Sequence, residues 1–387
     1  MNDMTIFSKN IRMLLIVLMI QTAGFTQEPT SQKLDPNMSL KKADADGIVW
    51  FDPGEEPFEL SGFEWFKEDS VYRRLPLNPG WEIREAVDQL ANHTAGGQLR
   101  FRSNSKRILV KVELRERSGM YHMPATGQSG FDLYMQDGEV LRYMKTTRFP
   151  HDTIRYQVEL FNTNDPQTTA FTLNFPLYNG VNSVLIGLEQ GSLVEAPPPF
   201  KRPGKIVIYG TSITQGGCVA RPGMVYSNIL SRKLDVQFVN LGFSGNGRGE
   251  PALAHLINEI PGTRMIVLDY EANASKTIVN TLGPFVDILR EKHPDLPILI
   301  ISKIRYAREI IGSPAHKVLM NNRDFQKNLV DERKTAGDTN IYFLDGSSTL
   351  GDDYDECTVD GVHPTDLGSF RIADALRPVI EGILTKK

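Results

Sequence analysis

Five residues in the C-terminal half have the types and positions that acyl transfer requires: Ser212, Gly245, Asn273, Asp360 and His363. Ser212 stands in KIVIYGTSITQGG (205–217), just after an apolar run that ends at Gly210. A hydroxyl there becomes a nucleophile if a neighbouring base takes its proton. His363, in TVDGVHPTDLG (358–368), is a candidate base. Asp360, three residues earlier, can fix the imidazole tautomer and leave the other ring nitrogen free. Gly245, in NLGFSGNGRG (240–249), offers a backbone N–H, and Asn273, in LDYEANAS (268–275), a side-chain amide. Both donors suit a developing oxyanion.

Each segment also has a plainer reading. A phosphate loop is excluded at Ser212, because no Lys follows the closing glycine. An α/β-hydrolase nucleophile elbow is excluded too, because Thr214 stands where that turn needs Gly. A helix N-cap at Ser212 stays open beside the nucleophile. The glycines at 242–249 fit no dinucleotide-binding spacing and also read as a flexible loop. Asn273 also reads as a turn former. His363 also reads as a helix-entry residue, with Asp366 as the cap. What separates the catalytic reading from these is position, since every one of the five follows a predicted strand.

Those strands are Lys205–Tyr209, Val236–Asn240, Met265–Asp269, Ile298–Ser302 and Ile341–Leu344. Amphipathic helices are predicted between and after them, at Met224–Leu234, Pro251–Glu259, Lys276–Lys292, Ala315–Thr335 and Asp366–Leu384. Strands alternating with helices imply a parallel sheet covered on both faces. Ligands in such a sheet sit at the carboxyl ends of the strands, where the five residues lie.

The N-terminal half has a different grammar. Over 47–194 short alternating segments such as QLRFRS (98–103), RILVKVEL (107–114), FDLYMQ (131–136) and FTLNF (171–175) are separated by turn residues. This pattern predicts a β-sandwich or jelly-roll-like accessory domain. EAPPPFKRPG (195–204), half of it Pro or Gly, predicts an extended linker to a domain over 205–387.

Lys9 and Arg12 precede the apolar run MLLIVLMI (13–20), and QTAGFTQ follows. This is the pattern of a cleaved export signal over 1–26, with a flexible segment over 27–46. The run is too short to span a bilayer, so no stable membrane insertion is expected after cleavage, and the expected location is periplasmic or secreted. A chain of 387 residues is long enough for two domains, and a net charge of -4 argues against a nucleic-acid partner.

The residues in these blocks resemble the SGNH (GDSL-type) hydrolase family, which is named for Ser, Gly, Asn and His in four separated blocks. GTSITQGG, NLGFSG, EAN and VDGVH are similar to the four in order, giving Ser212, Gly245, Asn273, and Asp360 with His363. The first block departs from the usual Gly-Asp-Ser at Thr211, and the third from Gly-x-Asn-Asp at Glu271 and Ala274. Gly130-Phe-Asp132-Leu-Tyr134 and PLYNGVNSVLIGL (176–188) resemble the N-terminal β-domain of a secreted bacterial subgroup marked by a Gly-x-Asp-Leu-Tyr motif. The resemblance implies a flavodoxin-like three-layer α/β/α hydrolase domain behind a β-sandwich. It also implies a serine esterase, with Ser212, Asp360 and His363 catalytic and Ser212, Gly245 and Asn273 forming the oxyanion hole. An acylated carbohydrate, most often O-acetylated, is the implied substrate. A lipid esterase or thioesterase, and a catalytically silent glycan-binding protein, are the alternatives.

No cofactor and no metal are expected, since two cysteines without supporting histidine spacing make a poor zinc site. Cys218 follows Ser212 by six residues, and Cys357 precedes Asp360 by three. If both loops border one site, a disulfide is expected between them, the alternative being two free thiols. Arg248, Arg305 and Arg308 follow predicted strands and are candidates to meet an acidic sugar. Trp65, Tyr72 and Trp81 are candidates to stack on sugar rings, although such residues more often build a core.

Overall fold

Alternation of apolar and polar residues dictates the first half of the chain. The computed structural model describes residues 41–386, so the expected export signal and most of the segment over 27–46 lie outside the described residues. In chain order the first ten strands are β1 (Ile48–Phe51), β2 (Glu59–Ser61), β3 (Gln98–Ser103), β4 (Arg107–Leu114), β5 (Asp132–Asp137), β6 (Val140–Thr146), β7 (Arg155–Asn162), β8 (Thr169–Asn174), β9 (Val181–Glu189) and β10 (Val194–Glu195). They form two antiparallel sheets, ordered β1-β9-β4-β7 and β10-β3-β8-β5-β6, with β2 beside β3. Inward residues of both sheets, including Leu99, Phe101, Val110, Leu133, Phe171 and Ile186, make a common core. This is the expected sandwich.

The second half is built around one parallel sheet. Its strands are β11 (Arg202–Gly210), β12 (Val236–Gly242), β13 (Thr263–Asp269), β14 (Ile298–Ile301) and β15 (Ile341–Leu344). Their order is β12-β11-β13-β14-β15. Successive residues of β11 feed opposite cores. Ile206 and Ile208 pack with Tyr226, Ile229 and Leu230 of the helix Tyr226–Leu234 and with Ile372 and Leu376 of the helix Asp366–Thr385. Val207 and Tyr209 pack with Leu253 and Ile257 of the helix Pro251–Glu259 and with Phe285 and Leu289 of the helix Ile278–Lys292. A strand buried on both faces needs the unbroken apolar run seen in the sequence. The order reverses direction at β11, between β12 and β13, and that switch point is where such sheets bind ligands.

β11 begins at Arg202, three residues before the expected start. Pro203 and Gly204 interrupt the strand pattern, and the pairing register shifts between Arg202 and Lys205. Among the described residues, no helix is long and apolar enough to cross a membrane.

Contacts between sandwich and α/β layers draw the described residues from Ala43 onward into one compact unit. Arg74, 1% exposed, donates through Nε to the His93 carbonyl and through Nη2 to the Leu90 carbonyl, both at 2.7 Å, and through Nη1 to the Gly242 carbonyl at the end of β12. Burial lowers its guanidinium to about 9, and the Phe243 ring lies 4.8 Å from its Cζ.

Candidate active site

The short helix Ser212–Gln215 starts directly after β11. Thr211, not Ser212, is its N-cap. The Thr211 hydroxyl accepts from the Ile213 N–H at 3.3 Å, and Thr214 Oγ1 accepts from the Thr211 N–H at 3.2 Å. This reciprocal capping box leaves the Ser212 hydroxyl free for chemistry. Gly210 permits the arrangement, since a Cβ there would lie 1.9 Å from Thr214 Oγ1. Ser212 itself is 7% exposed.

Ser212 Oγ lies 2.9 Å from His363 Nε2. His363 Nδ1 lies 2.7 Å from Asp360 Oδ2. The other carboxylate oxygen, Oδ1, accepts the backbone N–H groups of Val362 and His363 at 3.0 and 2.7 Å. The three-residue spacing thus lets one carboxylate hold both its own loop and the imidazole. Burial pushes the Asp360 carboxyl up, but the His363 N–H and ring and the Val362 N–H outweigh it and hold the group below its ordinary value. The imidazole is oriented with Nε2 toward the hydroxyl, as a general base needs.

Hydrogen bonds hold the segments of the three expected oxyanion donors to one another: Gln215 accepts the Ser244 N–H, and Asn273 the Gly247 N–H. Among the described residues no acceptor is found for the N–H of Ser212, the N–H of Gly245 or the Nδ2 of Asn273. Gly245 sits at φ +69° in the left-handed region, where a side chain is strained. Asn273 accepts the Gly247 N–H at Oδ1, 3.3 Å away, which ties the loop after β12 to the turn after β13. The departure at Glu271 also has a physical account. Its buried carboxylate accepts the Lys303 N–H at 2.7 Å and the Gln326 amide at 2.8 Å, anchoring the helical turn Glu271–Ala274 that carries Asn273.

Several residues of the site are not legible as motifs. Asp269, at the end of β13, accepts from Thr214 Oγ1 at 3.0 Å and from the Tyr226 hydroxyl at 2.5 Å. Burial raises its carboxyl to about 6 despite these two donors. The Tyr178 hydroxyl donates to the Ser212 carbonyl at 3.1 Å. Gln215 donates to the Leu177 carbonyl and accepts the Ser244 N–H, both at 3.0 Å, joining sandwich, nucleophile helix and oxyanion loop. His122 also comes from the sandwich, and its ring meets that of His363 edge-on at 5.7 Å.

The Gly-x-Asp-Leu-Tyr motif has a clear role in this contact. Asp132 accepts from Arg221 Nη1 at 2.7 Å, from the Gly223 N–H at 2.9 Å and from the Asn174 amide at 2.7 Å. The Tyr134 hydroxyl meets the same Arg221 nitrogen at 2.6 Å. The motif therefore grips the loop that follows the nucleophile.

One expectation is overturned, and the candidate substrate-contact residues have partners within the protein. Cys218 and Cys357 are both free thiols, so the expected disulfide is absent. Cys357 points into the core beneath Arg371, whose Nη1 lies 3.2 Å from its sulfur, whereas Cys218 turns toward His122 and His363. Burial, with the Asp360 charge adding, pushes the Cys218 thiol up to about 12, which makes it a poor nucleophile. Arg248 donates to the Gly245 carbonyl through Nε at 3.2 Å and Nη2 at 3.1 Å, bracing the loop after β12. Arg305 donates to the Glu309 carbonyl and lies over Tyr354, and Arg308 lies 5.7 Å from the Tyr306 ring. Tyr72 is buried in the sandwich core and Trp65 packs against the α/β core. Trp81 stacks on His255 at 3.7 Å.

Residues 203–381 match the GDSL-like lipase/acylhydrolase family, and residues 48–194 match the GxDLY domain described as the N-terminus of SGNH-hydrolase-type esterases. A crystal structure from Bacteroides ovatus ATCC 8483, described as a GDSL-like lipase, is 29% identical with a TM-score of 0.80, covering 88% of this chain and 99% of that one. The salicylyl-acyltransferase SsfX3 of a tetracycline biosynthetic pathway has the same fold at 18% identity and TM-score 0.70, covering 88% and 99%. So does a family two carbohydrate esterase from Cellvibrio japonicus, at 16% identity and TM-score 0.55, covering 87% and 98%. No curated protein matches the chain. A sandwich of the GxDLY type joined to a GDSL-like α/β domain makes this chain a member of the SGNH (GDSL-type) hydrolase family.

Proposed function

We propose that the protein is an exported carbohydrate O-acetyl esterase with Ser212 as nucleophile. The observation that carries the chemistry is the unbroken chain from Ser212 Oγ through His363 to Asp360. His363 Nε2 takes the hydroxyl proton as Ser212 Oγ attacks the ester carbonyl. Asp360 keeps the imidazole in the required tautomer and stabilises its cation. The N–H groups of Ser212 and Gly245 and the Asn273 amide receive the oxyanion, each such donor contributing about 3 kcal/mol in the transition state. The sugar oxygen leaves with the proton from His363. Water, deprotonated by the same nitrogen, then releases acetate.

Two features favour a sugar. A cavity of about 660 Å³ next to Ser244 and Asn246 is lined by the polar side chains of Asn92, His93, Arg115 and Glu116 together with apolar Ala86, Leu90 and Met120. Tyr121, 92% exposed, stacks on His122 at 4.4 Å next to His363 and offers a flat face to a pyranose ring. The fold is shared with a Clostridium thermocellum family two carbohydrate esterase seen in complex with cellohexaose. Export is supported by the charged and apolar pattern over 1–26.

One observation favours a longer acyl group. Ile310 and Ile311, 66% and 75% exposed, lie on the loop whose Ala307 N–H donates to the Gly361 carbonyl beside the catalytic histidine. Rates on aryl esters of increasing chain length separate the readings. The proposal expects acetate to be fastest and acetate to be released from acetylated polysaccharides. A steep rise toward long acyl chains would replace it with the lipid reading, and no turnover at all with the silent binding protein.

A further inference from the structure

Two donors that the esterase mechanism does not use, His122 and Cys218, stand beside the catalytic histidine. One ligand atom from each of His122, Cys218 and His363 lies within 4.8 Å of the others. They come from the sandwich, the loop after the nucleophile and the histidine loop, so no sequence spacing announces them. The His122 Nδ1 is buried and has no hydrogen-bond partner among the described residues. Its Nε2 lies 4.0 Å from Asp360 Oδ2. The Cys218 thiol is 6% exposed and forms no disulfide. A buried polar atom without a partner calls for an explanation.

We propose that His122, Cys218 and His363 form a binding site for Zn2+ or a cation of similar softness, and that occupancy switches hydrolysis off. Two imidazoles and a thiolate are the donors zinc takes, whereas magnesium and calcium require oxygen ligands. Tetrahedral zinc with bonds of about 2.0–2.3 Å sets its ligand atoms about 3.4–3.8 Å apart, so a contraction of about 1 Å closes the site. Asp360 holds His363 Nδ1 at 2.7 Å, so the proposal assigns Nε2, the nitrogen without a carboxylate partner, as the ligand atom. That nitrogen is the one facing Ser212 Oγ at 2.9 Å. A metal there removes the base from the hydroxyl. On binding, the thiol releases its proton to solvent as the zinc–sulfur bond forms, and the fourth position is left to water. The inhibitory half rests on the serine esterase reading, whereas the binding half does not.

The test uses the full chain, stripped with a chelator and titrated with Zn2+. One zinc should bind per chain, and cobalt in its place should show a thiolate charge-transfer band. Aryl acetate turnover should collapse as the site fills and return with chelator. Cys218→Ala should keep the metal-free turnover, lose the cobalt band and bind zinc at least about tenfold more weakly. His122→Ala should weaken zinc binding similarly. Ser212→Ala, silent as an esterase, should still bind zinc with the band intact, so a failure of the esterase reading leaves the site testable. Absence of stoichiometric binding, a cobalt spectrum without thiolate, undiminished inhibition of Cys218→Ala, or activation by zinc would overturn the proposal.

Discussion

The guanidinium of Arg221, nine residues past the nucleophile, donates to the carboxylate of Asp132 at 2.7 Å across the junction of sandwich and α/β domain. Asp132 is fully buried, and its carboxylate also holds the Gly223 N–H. The sandwich is thus part of the framework of the site.

Asp132→Ala should therefore strand the Arg221 charge and lower stability by about 3–5 kcal/mol, as breaking one side of a buried ion pair does. Chemical denaturation measures this. Arg221→Ala should be destabilising too, and the double variant should lose clearly less than the two single losses combined. Full additivity would show that the two groups are not coupled.

On the proposed mechanism Asn273→Ala should lower kcat by about 10²–10³-fold with little change in KM, the signature of a donor to the oxyanion rather than to the ground-state ester. A change in KM alone would assign Asn273 to substrate binding.

Asp360→Asn should cost about 10³–10⁴-fold in kcat while leaving the fold intact, since an amide no longer fixes the imidazole tautomer. Retention of activity would transfer the orienting role elsewhere.

Asp269 gives a pH signature. Its carboxyl is raised from 3.8 to about 6 in the folded protein. The folded state therefore holds a proton that the unfolded chain releases between these values, and this contribution to stability is present below about 4 and lost as pH rises through 6. Asp269→Asn removes that loss, so its stability relative to the parent should rise by about 1–3 kcal/mol from pH 4 to pH 7. Melting curves across that range read the slope. A pH-independent difference would show that Asp269 ionises as freely as in the unfolded chain.

The alternation of strand and helix was legible because each α/β strand is buried on both faces and reads as an apolar run. The positions of Ser212, Gly245, Asn273, Asp360 and His363 were legible because a parallel sheet exposes its chemistry after the strands. What was not legible is contributed across the chain. Thr211, rather than Ser212, caps the helix because its hydroxyl and that of Thr214 fit each other's backbone groups. Arg74, His122 and Tyr178 act on partners far away in sequence, and neighbouring residues carry no trace of that. The disulfide expectation failed because loop proximity does not set side-chain direction. Cys357 faces Leu350 and Asp353 in its own loop, while Cys218 faces the histidines.

The most direct measurement is covalent labelling with a fluorophosphonate, followed by peptide mass mapping. Attack by Ser212 Oγ should expel fluoride and leave one phosphonyl adduct on the peptide containing that residue, and His363→Ala should suppress it. An adduct on a different residue, or full labelling of Ser212 without His363, would contradict the account.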